Sequence, residues 1–174
     1  MYGDIENMGE LLELAEERDV NIIYMDSGTQ MSCGKDAAKM WLNFLHPSEK
    51  TDIKDANDLS AVIRLEYRGY SVLFTGDLGE DGERELISEG DGLSADVLKV
   101  GHHGSRYSTS EEFLRAVDPD LAIISAGKNN RYGHPHGETL DRLDACGANV
   151  MSTIEHGAIC VGITDDGISV TGYR

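Results

Sequence analysis

Apolar positions along this chain change their spacing from one segment to the next, and the spacing sorts helices from strands. Residues 5–18 place Leu11, Leu12, Leu14 and Ala15 on one face and acidic side chains on the other, which predicts an amphipathic helix. Residues 20–25 and 41–45 are short apolar runs that read as strands, the second closed by His46-Pro47, and the polar stretch 48–58 reads as a loop. Residues 60–66 and 70–75 are β-rich and are separated by Tyr67-Arg68-Gly69, a hairpin signal. There follow a short helix over 82–88, a strand over 95–100 and a helix that a capping box within 108–112 opens and that runs to about 117. Next come a strand over 121–125 and a helix over 138–145 that Gly147 ends. The tail, 150–173, reads as two or three strands with a turn at Asp165-Asp166-Gly167. Strands alternate with helices in the middle and hairpins sit on either side, so the pattern predicts an α/β protein with a mixed sheet.

The 174 residues suffice for one domain with its own core and leave little room for a second. No apolar run approaches the roughly 20 residues of a membrane span and no signal-like segment opens the chain, so the chain itself is expected to be soluble. A net charge of −17 excludes a surface that coats nucleic acid through many phosphate contacts. Between Lys99 and His136, however, five basic residues stand against four acidic ones and four of the six histidines gather, so an anionic substrate would be steered to this window. Cys33, Cys146 and Cys160 form no CxxC pair and are expected as buried thiols rather than disulfides or ligands. His46 and His156, each alone in sequence, read as structural or surface residues.

Three polar sites follow strand-like runs in succession: Asp77 after Phe74-Thr75-Gly76, then His102-His103-Gly104-Ser105, then Asn129 through His136. In α/β folds the carboxyl ends of neighbouring strands converge on one crevice, which would bring these residues together. A carboxylate can bridge two divalent ions, and neutral imidazoles supply nitrogen ligands to zinc, manganese or iron. Glycines at 76, 101 and 104 let the backbone turn sharply at those points. Such a site lowers the pKa of bound water, and hydrolysis is its natural chemistry. Taken singly, each motif has a plainer reading: a turn after a strand, a hydrogen-bonded histidine beside an exposed one, a rigid loop before a helix, and Lys99 as a snorkelling edge residue. Their coincidence at three successive strand ends favours one shared site.

These residues also carry a resemblance. Asn57 with 60–65, Val72-Leu73-Phe74-Thr75-Gly76-Asp77, the stretch 95–110 with its Asp-Val-Leu-Lys-Val-Gly-His-His-Gly-Ser string, then 122–127 and 130–136, together resemble the metallo-β-lactamase-fold domain of the DNA-uptake competence protein ComEC family. The resemblance covers most of 57–157. It implies a metallo-β-lactamase-like αββα sandwich with two divalent ions, zinc or manganese, at one edge. On that pattern Asp77 matches the bridging carboxylate, His103 the late histidine ligand with His102 as the other choice, and His134 a histidine near the metals. Lys99, Ser105, Asn130 and His136 are the implied contacts to a phosphate group. The implied activity is that of a nuclease or phosphodiesterase acting on DNA during uptake, in a membrane-associated parent with this domain outside the cytoplasm, or in a standalone soluble relative.

One departure changes what this chain is expected to do. The family carries an early His-x-His/Asp-x-Asp-His string, and here no histidine precedes His46. The chain therefore reads as the C-terminal portion of the domain, with a mixed sheet and flanking helices but without its N-terminal part. Its exposed sheet would receive that part, or a second copy in a homodimer. Metal would be absent or weakly held, and the chain alone inactive. Two other functions stand beside this one: a non-catalytic structural or interaction module that has lost its first metal motif, and a soluble hydrolase of small phosphoesters such as phosphocholine esters.

Overall fold

The computed structural model describes residues 8–48, 51, 55–90 and 92–174. After helix α1 (Met8–Glu17), strands β1 (Gln30–Cys33), β2 (Met40–His46), β3 (Val62–Tyr67) and β4 (Tyr70–Phe74) form an antiparallel meander. The chain then alternates through α2 (Glu80–Glu89), β5 (Val97–Lys99), α3 (Glu111–Val117), β6 (Leu121–Ile124), α4 (Gly137–Cys146) and β7 (Asn149–Ser152). Strands β4 to β7 are parallel, so a seven-stranded mixed sheet runs in chain order from β1 to β7. A short helix, α5 (Thr153–His156), leads to the separate hairpin β8 (Ala158–Thr164) and β9 (Gly167–Tyr173). This is the mixed sheet with flanking helices that the hydrophobic pattern predicts.

Register decides which face of the sheet is core. Leu73, Leu98 and Ala122 are cross-strand neighbours and point to one face, where they pack with Leu86 of α2, Phe113, Leu114 and Val117 of α3, and Leu143 of α4. All of these are buried, and truncating any of the large ones to alanine costs about 2–5 kcal/mol. The opposite face carries the row Leu42, Leu65, Val72 and the row Phe44, Ile63, Phe74. There the β2 and β3 residues are only half-buried and Phe74 is 41% exposed. The β3–β4 hairpin turns on Arg68 and Gly69, with φ of 53° and 81°, the paired left-handed geometry that suits a two-residue turn.

Buried polar contacts fix the loop between β5 and α3. Ser110 caps α3 by accepting from the Phe113 amide (3.2 Å). The carboxylate that a capping box would draw from the helix itself comes instead from Glu83 of α2, which accepts from the amides of Thr109 and Ser110. From α4, Arg142 donates to the carbonyls of Ser108 (2.8 Å), Thr109 (2.8 Å) and Arg106 (3.2 Å). Segment 105–110 is thereby held from two helices.

Several expectations change. Residues 20–25 form no strand, and Ile23 and Tyr24 are exposed. The free edge of β2 is taken by the next segment, through Gly28 N to Phe44 O, Phe44 N to Thr29 O and then β1, so 20–25 finds no ladder to join. The three cysteines are exposed, not buried: Cys33 lies on the edge strand, Cys146 ends α4, and Cys160 lies on the outer hairpin. Helix α1 begins no later than Met8, and its expected first turn at 5–7 lies outside the described residues, as do 49, 50 and 52–54 of the expected loop.

Glu83 makes the fold pH-sensitive. It is 1% exposed, and burial pushes its carboxyl up to about 7 against the opposing pull of the Ser110 and Thr109 donors. The folded value lies above the ordinary 4.5, so between the two the folded state holds a proton that the unfolded chain has released. Glu83 therefore contributes stability that is full below about pH 4.5 and lost as pH rises through about 7, about 3 kcal/mol in all. Urea unfolding midpoints should fall across that range, and Glu83→Gln should flatten the profile. An unchanged slope in Glu83→Gln would remove Glu83 as its source.

Candidate functional site

The carboxyl ends of β4 and β5 deliver two side chains to each other. Past β4 the chain turns at Gly76, where φ is +55° and a Cβ would meet the Ser60 side chain at 2.9 Å. The Asp77 amide donates to Ser60 Oγ (3.0 Å), which fixes the start of the turn. Past β5 a 3-10 turn, Gly101–Gly104, carries both histidines in left-handed geometry, with φ of 45° at His102 and 57° at His103. The His102 amide donates to the Gly76 carbonyl (3.0 Å) and ties the two turns together. A Cβ at Gly101 would lie 2.5 Å from Ser108 Oγ, so the close approach of these loops requires glycine there.

Asp77 Oδ1 lies 3.5 Å from His103 Nε2, both side chains being about half-exposed. His103 Nδ1 lies 2.7 Å from the Ser125 carbonyl. A carbonyl can only accept, so Nδ1 carries the hydrogen, and in the neutral imidazole the lone pair is on Nε2, facing Asp77. Two acceptors facing each other at that distance require a proton or a cation between them. This is also how a metal-binding histidine is oriented, its far nitrogen bonded to a carbonyl.

The other sequence-derived residues divide between this pair and its supports. His134 is buried at the centre of a ring cluster, 5.5 Å from His102, 6.4 Å from His103 and 4.8 Å from His136 between centroids. Burial, then His136, His102 and His103, lower its pKa, while Asp77 raises it. His102 shares that cluster and also lines a separate cleft with Asn57, Gly79 and Tyr107. Lys99 points its Nζ at the Val100 carbonyl (2.8 Å); burial lowers its pKa and nearby Asp77 raises it.

Ser105 is 3% exposed, its hydroxyl accepting from the Tyr107 amide, so it supports the loop from within. Asn130 spends its amide on its own loop, bonding Gly127 O, His134 O and His134 N. His136 Nδ1 accepts from the Arg106 amide (3.1 Å) at the start of α4. All four expected phosphate contacts thus make hydrogen bonds within the protein. Lone His46 is buried, with Nδ1 3.1 Å from Ser60 O, and His156 Nδ1 lies 3.2 Å from Ser152 O, both in structural settings.

Sequence reasoning missed two contributors. Ser125 acts through its carbonyl, which no side-chain pattern reports. Tyr132 lines a 600 Å³ cavity beside the pair, with His103, Ala126, Gly127 and His134. An aromatic set among Asn130, Arg131 and Gly133 on a loop was the available signal.

For a metal, the test is the donor set. Asp77 and His103 present a carboxylate oxygen and an imidazole nitrogen to one point, which suits a divalent ion. Among the described residues no group of three or more His, Cys, Asp or Glu is placed to hold an ion. The set fits part of one ion's coordination sphere and does not fit two ions.

Residues 48–128 match the model of the family described as metallo-beta-lactamase superfamily. The chain is 47% identical to ComE operon protein 3 of Bacillus subtilis over 111 residues, which is 64% of this chain and 14% of that protein. It is 39% identical to competence protein ComA of Neisseria gonorrhoeae over 132 residues, 75% of this chain and 19% of that protein. It is 39% identical to recombination protein 2 of Haemophilus influenzae over 118 residues, 68% of this chain and 15% of that protein. The match thus spans less than a fifth of the length of each of these relatives.

The hydrogen-bond pattern fixes tautomers that long-range 1H–15N correlation spectra can read. In the neutral imidazoles His103 should carry its hydrogen on Nδ1 and His136 on Nε2. An Nε2–H tautomer at His103 would remove the lone pair that faces Asp77, and with it the basis for a ligand role.

Proposed function

The chain belongs to the metallo-beta-lactamase superfamily, and from that premise we propose that it is part of a metal-dependent hydrolase of phosphodiesters, with DNA as substrate and DNA uptake as the process. The observation that carries the reading is the Asp77–His103 pair, a carboxylate and an oriented imidazole lone pair 3.5 Å apart. A zinc or manganese ion held there supplies a bound water acidic enough to act as nucleophile near neutral pH, and polarises phosphoryl oxygens. The chain's own residues do the rest: Ser125 fixes the His103 ring, Ser60 fixes the Asp77 turn, and buried His134 holds the ring cluster together. Lys99, close to Asp77 and half-buried, adds positive charge beside the place a phosphate would occupy.

A dinuclear centre needs more ligands than these. We assign the remainder to other parts of a longer polypeptide, since the match covers only 14–19% of the relatives above. Alone, the described site then holds metal weakly and does not turn over. The half-buried rows of β2 and β3 are the surface on which that other part, or a second copy, docks. The word competence in the name of one relative supports the uptake setting; a membrane-associated whole with this part outside the cytoplasm is our proposal for it. Among the described residues no helix is long and apolar enough to cross a membrane.

The absence of a third ligand among the described residues favours one rival, a non-catalytic module that keeps the sheet. Elemental analysis and cleavage assays separate the two. In the longer polypeptide, loaded with manganese or zinc, we expect close to two ions per chain and cleavage of DNA in preference to small phosphoesters. Asp77→Asn should lower metal affinity by at least about 100-fold. Cleavage of neither DNA nor a chromogenic phosphodiester by the loaded protein would sink the hydrolase reading.

A further inference from the structure

We propose that the 600 Å³ cavity beside His103 is a nucleobase subsite, with Tyr132 as its stacking platform; this rests on the phosphodiesterase reading above. The cavity lies between the loop that follows β6 and the turn from α5 into β8, and Gly127, Ala126 and Ala158 keep its walls small. Its aromatic side is formed by Tyr132 and His134, whose rings are stacked with centroids 5.7 Å apart and an interplanar angle of 23°. Tyr132 is nevertheless 61% exposed, a large aromatic surface left to solvent at the rim of a cavity.

His103 joins this cavity to the reactive pair. Its ring lines the cavity, its Nδ1 bonds Ser125 on the cavity side, and its Nε2 faces Asp77. A phosphate placed at Asp77 and His103 therefore has the cavity one imidazole ring away, where the base of the same nucleotide would lie. Flat bases stack on aromatic side chains with little regard to sequence.

Charge selects the class of occupant. Residues 127–137 contain Lys128 and Arg131 and no acidic residue. The Arg131 guanidinium lies 4.8 Å from the Tyr132 ring centroid, over the ring. Arg131 does not line the cavity, so its guanidinium supplies charge beside the ring rather than a wall of the subsite. A quaternary ammonium such as choline would also favour an aromatic face, but the Arg131 guanidinium over the Tyr132 ring repels it there. The subsite thus suits a nucleotide with its base unstacked from its neighbours, as in a single strand.

The test is equilibrium binding by this chain, without divalent metal, of two end-labelled single-stranded decamers: oligothymidylate and an abasic strand with the same phosphates. Wild-type protein should bind oligothymidylate about tenfold more tightly than the abasic strand. Tyr132→Ala should abolish that difference by weakening oligothymidylate alone, and Tyr132→Phe should restore it. Circular dichroism checks that both variants are folded. Equal affinity for the two strands in the wild type, or an unchanged preference in Tyr132→Ala, overturns the subsite and leaves the phosphodiesterase reading standing. Failure of the wild type to bind either strand also overturns the subsite, while the phosphodiesterase reading is decided separately by cleavage with the longer, metal-loaded polypeptide.

Discussion

The turn that carries His102 and His103 depends on a carboxylate it never touches. Glu83, buried on α2, accepts the amides that open α3, and Arg142 from α4 takes the carbonyls of the same segment. Without them, several backbone groups at 108–110 would be left unpaired away from solvent, at about 1–3 kcal/mol each. The consequence reaches the site through Gly101, which packs within reach of Ser108 Oγ and Thr75 Oγ1, and through Ser105, whose amide bonds the His102 carbonyl. Helix packing, not local propensity, positions the histidines.

That dependence explains which parts of the protein were legible in its sequence. Strands ending in Gly76-Asp77 and Gly101-His102-His103 are local signals, because glycine and the apolar runs before it are contiguous. The Arg68-Gly69 hairpin is local for the same reason. The α3 cap looked local too, yet its carboxylate lies 26 positions upstream of Thr109 in another helix, and no spacing rule spans that interval. Residues 20–25 show the converse error. Their composition is that of a strand, but a strand needs a free edge, and Gly28 to Cys33 reaches β2 first. Exposure of Cys33, Cys146 and Cys160 follows from position in the fold, which residue type does not reveal.

The site also divides labour in a way that residue type conceals. Asn130, Ser105 and His136 are polar and lie near the pair, as a substrate-binding set would, yet hydrogen bonds within the protein hold them. They shape the loop that presents Tyr132 and His134. Positive charge at the site then comes from Lys99 beside Asp77 and from the exposed Arg131, against an otherwise acidic surface. A few well-placed cations in an acidic protein favour a defined phosphate over diffuse attraction to a polyanion.

The backbone at His102 and His103 bears on whether the pair is merely structural. Two consecutive non-glycine residues with positive φ cost on the order of 1–3 kcal/mol each. A turn selected only for shape would place glycine or asparagine there, since both adopt the left-handed region more cheaply. The strain is sustained by the Gly76 carbonyl, the Ser125 carbonyl and the buried loop beyond, and the result is an imidazole lone pair facing a carboxylate. A structural imidazole facing Asp77 would instead carry a second proton and pair with the carboxylate as a cation. One held by its far nitrogen and facing an acceptor has the orientation of a ligand, and that argues for a site whose remaining partners lie beyond the described residues.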